Sequence, residues 1–180
     1  MQEVIIIIGL PGSGKSTLIN SKINSASYRN YLVYDDWGKI FYGEKDIFIN
    51  ESRYEELKQN LINGNSCVLS CIFFCKFEYL KLTESTILSI APNIKITKIY
   101  YENNPQNCEF NIKYRDEQKG GYWETYDNGD SMYFGELYTP NNDGVEYGPL
   151  YVREINIMKE LSNEYEIPLE YTPLPIFTPK

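Results

Sequence analysis

Runs of apolar residues, separated by polar segments, divide this chain into short predicted strands and longer predicted helices. The first run, residues 4–8, is Val-Ile-Ile-Ile-Ile and contains no polar residue. A continuous apolar run of this length is typical of a strand that is buried on both faces of a parallel sheet. Three later apolar stretches predict further strands at residues 31–34, 67–74 and 94–101.

Between these stretches, apolar residues recur at helical spacing. In residues 50–63, Tyr54, Leu57 and Leu61 keep an i, i+3, i+7 spacing, and Gly64 supplies a stop. The predicted helices are residues 16–23, 50–63, 77–89, 105–116 and 152–165. A last strand is predicted at residues 167–174, followed by a tail at residues 175–180.

Residues 119–150 differ in composition from the rest of the chain. Turn dipeptides such as Gly120-Gly121 and Asn128-Gly129 alternate with short stretches that hold seven aromatic residues. This pattern predicts an aromatic, β-hairpin-like insertion in the core of the fold. The insertion could be a substrate-side flap whose rings stack on a base, an accessory hairpin with its own small core, or an oligomer interface. We favour the accessory hairpin, because seven rings are more than one base needs.

Length and hydropathy predict one cytoplasmic domain. At 180 residues the chain is long enough to bury a full core, so we expect a single domain with a core of residues 1–118 and 151–174 and an insertion or lid at 119–150. No apolar stretch approaches the roughly 20 residues of a membrane span. No secretory signal precedes the first strand. We therefore expect no membrane partner.

The net charge and the missing residue types exclude several functions. The net charge is −8 and the pI is about 4.7. This acidity argues against a large nucleic-acid footprint but leaves room for a narrow pocket that takes one nucleotide or a strand end. The absence of histidine excludes Ser-His-Asp and Cys-His catalysis and HExxH metal sites. The four cysteines lack zinc-site spacing, so we interpret them as structural thiols in a reduced compartment.

A complete phosphate-binding loop motif, Gly9-x4-Gly14-Lys15-Ser16, directly follows the first predicted strand. The glycines let backbone N–H groups approach a polyphosphate, Lys15 neutralises the β and γ phosphates, and the Ser16 hydroxyl binds Mg²⁺. A glycine-rich turn without a ligand is the alternative, but it does not explain why every motif position is filled. The predicted ATP-binding residues are Gly9, Pro11, Gly12, Ser13, Gly14, Lys15, Ser16, Thr17 and, from a later helix, Asn111.

A pair of carboxylates, Asp35 and Asp36, follows the second predicted strand. Ligands of open α/β sheets lie off the carboxyl ends of the strands, so we expect this pair at the same edge as the loop. With no histidine to compete, we predict Asp35 as the base for an acceptor hydroxyl and Asp36, with Ser16, as a Mg²⁺ ligand. An ordinary helix N-cap is the alternative.

The third strand offers only Ser70 and Cys71 where nucleoside triphosphatases usually carry an acidic residue that helps to hold Mg²⁺.

The helix predicted at residues 105–116 carries polar groups on one face. Asn104 is a typical cap and Pro105 a typical first helical residue. Asn111 and Arg115 are four residues apart and therefore share a face. We predict that this helix belongs to a lid that closes on ATP, with Arg115 on the phosphates. The alternative is a solvated basic face.

The loop motif and the acidic pair resemble the polynucleotide kinase branch of the small P-loop kinases, as found in bacteriophages. The resemblance covers roughly residues 1–116. It implies an α/β fold, the P-loop kinase three-layer sandwich with a central parallel sheet. If the protein is phage-encoded, the resemblance implies that it acts in the host cytoplasm. It also implies that Asp35 takes the proton of a nucleic-acid 5′-hydroxyl and that Arg115 stabilises the transferred phosphoryl group. Two positions depart from the family pattern. Gly38 replaces an arginine that holds the acceptor's phosphate, and Cys71 replaces the third-strand aspartate.

The expected function is an ATP- and Mg²⁺-dependent kinase that transfers the γ-phosphate to a hydroxyl on a nucleic acid. The acceptor would be a 5′-OH end, which suits the family resemblance, or a hydroxymethylated base in phage DNA. A nucleoside or nucleotide acceptor is the alternative. The acidic surface and the aromatic insertion suit a hydroxymethylated base or a free nucleoside better than a 5′-OH end. A nucleotide-driven switch is disfavoured because neither Asn-Lys-x-Asp nor Asp-x-x-Gly occurs in the expected place. A non-catalytic ATP-binding module would explain the missing third-strand carboxylate.

Overall fold

A parallel four-stranded sheet forms the centre of the fold. The computed structural model of the chain describes residues 2–23, 25, 28–35, 51–138, 148–177 and 179. The strands of this sheet are β1 (Glu3–Ile8), β2 (Leu32–Tyr34), β3 (Cys67–Ser70) and β4 (Lys95–Tyr100). They lie in the order β2-β3-β1-β4, and every neighbouring pair is parallel. Helices flank the sheet, so the chain has an α/β fold that is compatible with a three-layer sandwich.

β1 lies in the interior of the sheet, and its apolar run is buried. Val4 and the isoleucines after it are at most 1% exposed. β1 forms hydrogen bonds with β3 along one edge and with β4 along the other. Both edges of β1 are thus paired and both of its faces are covered, which is why it needs no polar position. The predicted buried strand is confirmed.

The predicted helices are all present, with ends that shift by one or two residues. In the described part of the chain the α-helices are α1 (Lys15–Ile23), α2 (Glu51–Ile62), α3 (Phe77–Ile90), α4 (Pro105–Gln118) and α5 (Leu150–Glu164). Asn104 caps α4 as predicted, because its side-chain oxygen accepts a hydrogen bond from the Asn107 N–H at 3.1 Å. Among these helices, none is long and apolar enough to cross a membrane.

The third strand is shorter than its apolar run. β3 ends at Ser70, and Ile72–Cys75 forms a 3-10 helix instead of continuing the strand. The Sγ atom of Cys71 accepts a hydrogen bond from the Phe73 N–H at 3.4 Å, which caps this turn. The prediction of a strand through residue 74 is therefore wrong in its second half, because a buried apolar run does not by itself distinguish a strand from a short helix.

The last predicted strand, at residues 167–174, is absent as a strand. In this segment only Leu174 forms a β-bridge, and its partner is Tyr101, directly after β4. Pro168 and Pro173 lie in the segment and have no N–H group to give to a ladder. The segment instead runs beside the end of β4 as irregular chain.

The insertion contains the predicted β-hairpin. Its described strands are β5 (Tyr122–Thr125), β6 (Ser131–Phe134), β7 (Leu137–Tyr138) and β8 (Gly148–Pro149), paired antiparallel as β5–β6 and β7–β8. The Tyr133 ring packs between Trp123 and Tyr151 of α5, with ring centroids 5.3 and 5.5 Å away. Of these rings only Tyr133 is buried, Trp123 is half exposed (53%) and Tyr151 belongs to α5, so the hairpin packs against α5 rather than around a core of its own. The oligomer interface stays a prediction.

Candidate functional site

The chain turns sharply between β1 and the first turn of α1, over a segment that we call the glycine-rich loop (residues 9–16). Gly12 and Gly14 have φ values of 81° and 98°, which L side chains rarely adopt. The space beside both glycines is also closed. A Cβ on Gly12 would lie 2.5 Å from the Cys108 carbonyl oxygen, and one on Gly14 would lie 2.7 Å from the Cβ of Phe177. This loop conformation therefore requires glycine at both positions.

The ammonium group of Lys15 lies inside the glycine-rich loop. Its Nζ donates hydrogen bonds to the carbonyl oxygens of Gly9 and Leu10, both at 2.9 Å. Lys15 is buried, and this burial lowers the pKa of its ammonium. A lysine has three N–H donors, so one of them remains after the two carbonyl bonds. Because a buried charge is costly unless it is compensated, this geometry favours an anionic ligand.

Asp35 directly follows β2 and lies beside the loop, as predicted. The Ser16 hydroxyl donates a hydrogen bond to Oδ2 of Asp35 at 3.2 Å. Arg53 of α2 donates from Nη2 to the Asp35 backbone carbonyl at 3.4 Å. The carboxylate thus reaches the hydroxyl of the loop motif. Asp36 and the segment after it, through residue 50, lie outside the described residues, so Asp36 as a Mg²⁺ ligand stays a prediction.

A cavity of about 630 Å³ adjoins the glycine-rich loop, a volume within the range of small-molecule and cofactor sites. The predicted site residues that line it are Pro11, Gly12, Gly14, Lys15, Ser16, Thr17, Asp35, Asn111 and Arg115. Gly9 and Ser13 do not line it. Gly9 contributes its carbonyl oxygen to Lys15. Ser13 is fully buried, and its hydroxyl has no hydrogen-bond partner among the described residues.

Asn111 and Arg115 both line this cavity from α4, as their spacing predicts. The Asn111 side-chain amide donates hydrogen bonds to the carbonyl oxygens of Gly12, at 2.8 Å, and of Phe177. It therefore ties α4 to the loop. Arg115 forms an ion pair with Glu154 of α5, and half of its side chain (52%) is exposed. Its guanidinium is accessible to an anion in the cavity.

The C-terminal residues form one wall of the cavity, which no sequence pattern indicated. Ile176 is buried, and its N–H donates to Oε1 of Glu102 at 3.3 Å. The Phe177 N–H donates to the Ser13 carbonyl oxygen at 3.3 Å. The prediction that residues 175–180 are simply a tail is wrong for the described part, because these bonds hold the segment against the loop. Further cavity residues that the sequence did not indicate are Ile72, Tyr114, Gln118, Glu154 and Pro179.

The four cysteines are free, buried thiols. The described residues contain no group of three or more His, Cys, Asp or Glu side chains that could hold a metal ion. Burial raises the pKa of Cys75 to about 12 and that of Cys108 to about 11, so both remain protonated thiols near neutral pH. A nucleotide-bound Mg²⁺ takes oxygen ligands and keeps several waters. The adjacent Ser16 hydroxyl and Asp35 carboxylate fit that chemistry.

Comparisons with known proteins find distant similarities. No protein-family model matches the chain. "Uncharacterized protein R277" of Acanthamoeba polyphaga mimivirus is 29% identical over 131 residues, which cover 70% of this chain and 82% of that protein. A solved structure described as "Crystal structure of APE1195" has 22% sequence identity and a TM-score of 0.44, over 66% of this chain and 72% of that one. Neither similarity carries an activity to this chain.

Proposed function

We propose that this protein is a P-loop kinase that transfers the γ-phosphate of ATP to a hydroxyl on a nucleic acid, with Mg²⁺. The observation that supports it most is the placement of Lys15. Its ammonium binds two loop carbonyls and keeps one N–H for an anion, in the cavity that Asp35 also lines. A phosphate-binding loop and a carboxylate that share one cavity are the parts that phosphoryl transfer to an alcohol requires.

Each part of the cavity has a role in this reaction. The loop N–H groups and Lys15 would bind the phosphates, and Ser16 would hold the Mg²⁺, which would supply positive charge to the phosphate oxygens. Asp35 orients the acceptor hydroxyl and takes its proton as the new O–P bond forms and the bond from the γ-phosphorus to the bridging oxygen of ADP breaks, so that ADP leaves. The Arg115 guanidinium leaves its ion pair with Glu154 and binds the phosphoryl oxygens as negative charge moves toward the leaving group.

A panel of acceptors tests the function. Purified protein is incubated with γ-labelled ATP and 5′-OH oligonucleotides, hydroxymethyluracil DNA, nucleosides or nucleoside monophosphates, with a Lys15→Ala preparation as the control for contaminating kinases. We expect label on a nucleic acid. Label on free nucleosides or nucleotides alone would favour the small-molecule kinase, which the net charge of −8 supports. Tight ATP binding without label on any acceptor would indicate a non-catalytic module.

Removing the guanidinium of Arg115 tests its role on the phosphoryl group. We expect Arg115→Ala to lower kcat by about 10²-fold or more and to change ATP affinity little, because the contact strengthens only as charge develops. Arg153→Ala is the matched control, since that guanidinium lies 3.9 Å from the centre of the Tyr138 ring and does not line the cavity. Equal kcat values for Arg115→Ala and Arg153→Ala would contradict the assignment.

Replacing Phe177 tests whether the wall formed by the C-terminal residues holds the adenine base of ATP. The ring is half exposed (50%) at the cavity, and stacking against a base contributes about 1–3 kcal/mol. We expect Phe177→Ala to raise the KM for ATP by roughly 10-fold while kcat changes less. Leu169→Ala, at a fully exposed position away from this cavity, is the control. An unchanged KM in a variant with the wild-type Tm would place the base elsewhere.

A further inference from the structure

A second cavity, of about 410 Å³, lies between α4 and the hairpin of β5 and β6. We call it the hairpin cavity. It shares no lining residue with the cavity at the glycine-rich loop. Its lining includes the rings of Trp123, Tyr133 and Tyr151 and the charged groups of Lys113, Asp116 and Glu117 on α4.

Two polar side chains of the hairpin cavity are about nine-tenths buried and lack partners. The Tyr133 side chain is 9% exposed, and its hydroxyl has no hydrogen-bond partner within the described ranges. Asp116 is also 9% exposed, and no described residue forms a hydrogen bond or an ion pair with its carboxylate. The two oxygens lie close together, since a Cβ on Gly121 would collide with both. A buried polar atom is almost always paired, so the Tyr133 hydroxyl indicates a ligand that can form a hydrogen bond with it beside the Asp116 carboxylate.

The charge at Asp116 favours a positive ligand. Burial raises the pKa of the Asp116 carboxyl, and the nearby carboxylate of Glu136 raises it further. The cations around it are already engaged in ion pairs, Lys113 with Glu109, Lys119 with Glu136 and Arg115 with Glu154. Lys119 and Arg115 partly lower the pKa of the Asp116 carboxyl, but neither forms an ion pair with it. A phosphate would therefore meet a carboxylate without an ion-pair partner, whereas a cation would supply that partner.

The aromatic wall of the hairpin cavity also suits a cation. Tyr133 packs at 5.3 Å from Trp123 and at 5.5 Å from Tyr151, measured between ring centroids. The Trp123 indole N–H donates to the Tyr151 hydroxyl at 3.1 Å, which fixes the orientation of the outer rings. Positioned aromatic faces attract ammonium and guanidinium groups through their quadrupole, and Trp does so most strongly.

We propose that the hairpin cavity binds an organic cation, an alkylammonium or guanidinium group, with Asp116 as its counter-ion and Trp123 and Tyr133 as its aromatic wall. The Tyr133 hydroxyl accepts a second hydrogen bond from the same group. The cation comes either from a free polyamine or from a lysine or arginine side chain of a peptide. This site is independent of the kinase activity proposed above.

Isothermal titration of the full chain tests the proposal. The probes are spermidine, N-methylguanidine and a short arginine peptide, with N-methylurea as the uncharged match of N-methylguanidine. We expect saturable binding of the cations and none of the urea. Binding of spermidine and N-methylguanidine without the peptide would assign a free small cation, and tighter binding of the peptide would assign a protein side chain. No binding of any cation at millimolar concentration overturns the proposal.

Variants at the two unpartnered groups separate a ligand site from a structural one. We expect Asp116→Asn to weaken cation binding by about 10-fold or more and Tyr133→Phe to weaken it less. Asp127→Asn makes the same charge change on the exposed hairpin turn and should bind as wild type does. We also expect Asp116→Asn to keep or raise the Tm of the ligand-free protein, because it removes an unpaired buried charge.

The opposite Tm result would contradict the site. If Asp116 and Tyr133 served only to bond each other, Asp116→Asn and Tyr133→Phe would both lower the Tm, and neither would change cation binding. A cation that binds Asp116→Asn as tightly as wild type likewise overturns the assignment of Asp116 as counter-ion.

Discussion

Replacing Lys15 by alanine is expected to abolish phosphoryl transfer and to weaken ATP binding by about 10- to 100-fold, the range for hydrogen bonds to charged groups. The buried ammonium is the positive charge that the glycine-rich loop offers to a phosphate. Its removal also takes one donor from each of the carbonyl oxygens of Gly9 and Leu10, although Leu10 still accepts from the Ser13 N–H at 3.1 Å. Titration with ATP and Mg²⁺ measures the affinity, and transfer of labelled phosphate measures the activity.

Lys22→Ala is the matched control for this prediction. Lys22 lies on the same helix, α1, but its ammonium is 4.9 Å from the centre of the Tyr28 ring and does not line the cavity. We expect this variant to bind ATP as wild type does. If Lys15→Ala folds, as judged by circular dichroism, and still binds ATP with unchanged affinity, the loop is only a turn between β1 and α1.

The second large effect is expected at Asp35. We expect Asp35→Asn to lower kcat by about 10²-fold or more, the usual contribution of a general base. ATP binding should change little, because the asparagine side-chain oxygen can still accept the hydrogen bond that Ser16 donates to Asp35 at 3.2 Å. Single-turnover transfer to the acceptor found in the panel measures the chemical step separately from binding.

Glu55→Gln controls for the change from carboxylate to amide near α2. Glu55 is an exposed side chain paired with Lys58 at 3.4 Å, outside the cavity. Near wild-type turnover of Asp35→Asn would remove the base assignment while leaving ATP binding intact. Loss of transfer at Asp35 together with loss of ATP binding at Lys15 is the pattern that a kinase predicts and an ATP-binding module does not.

The sequence indicated the sheet and the loop well because both depend on neighbouring residues. The apolar run of β1 is typical of a doubly buried strand, and the glycines after it allow the backbone conformation found at Gly12 and Gly14. The start of α4 was equally local, since Asn104 and Pro105 act within one turn. Elements defined by such short-range rules were predicted to within a residue or two.

Prediction failed at three segments, for local reasons in two of them and for a long-range reason in the third. The apolar run after Ser70 forms a 3-10 helix, although its sequence fits a strand equally well. Residues 167–174 lack the ladder that was predicted because their prolines cannot donate to it. Ile176 and Phe177 lie against the glycine-rich loop only because Glu102, Asn111 and Ser13 supply partners for this segment.

The sequence by itself determined an α/β chain with a glycine-rich loop, a lysine within it and a carboxylate after the second strand. Only the tertiary structure decided what surrounds them. It placed Phe177 across the loop, paired Arg115 with Glu154, and left the buried Tyr133 hydroxyl beside the Asp116 carboxylate without a partner among the described residues. The physical reason is range: backbone conformation is set by residues a few positions apart, whereas ion pairs and cavities form between side chains that meet only when distant segments pack.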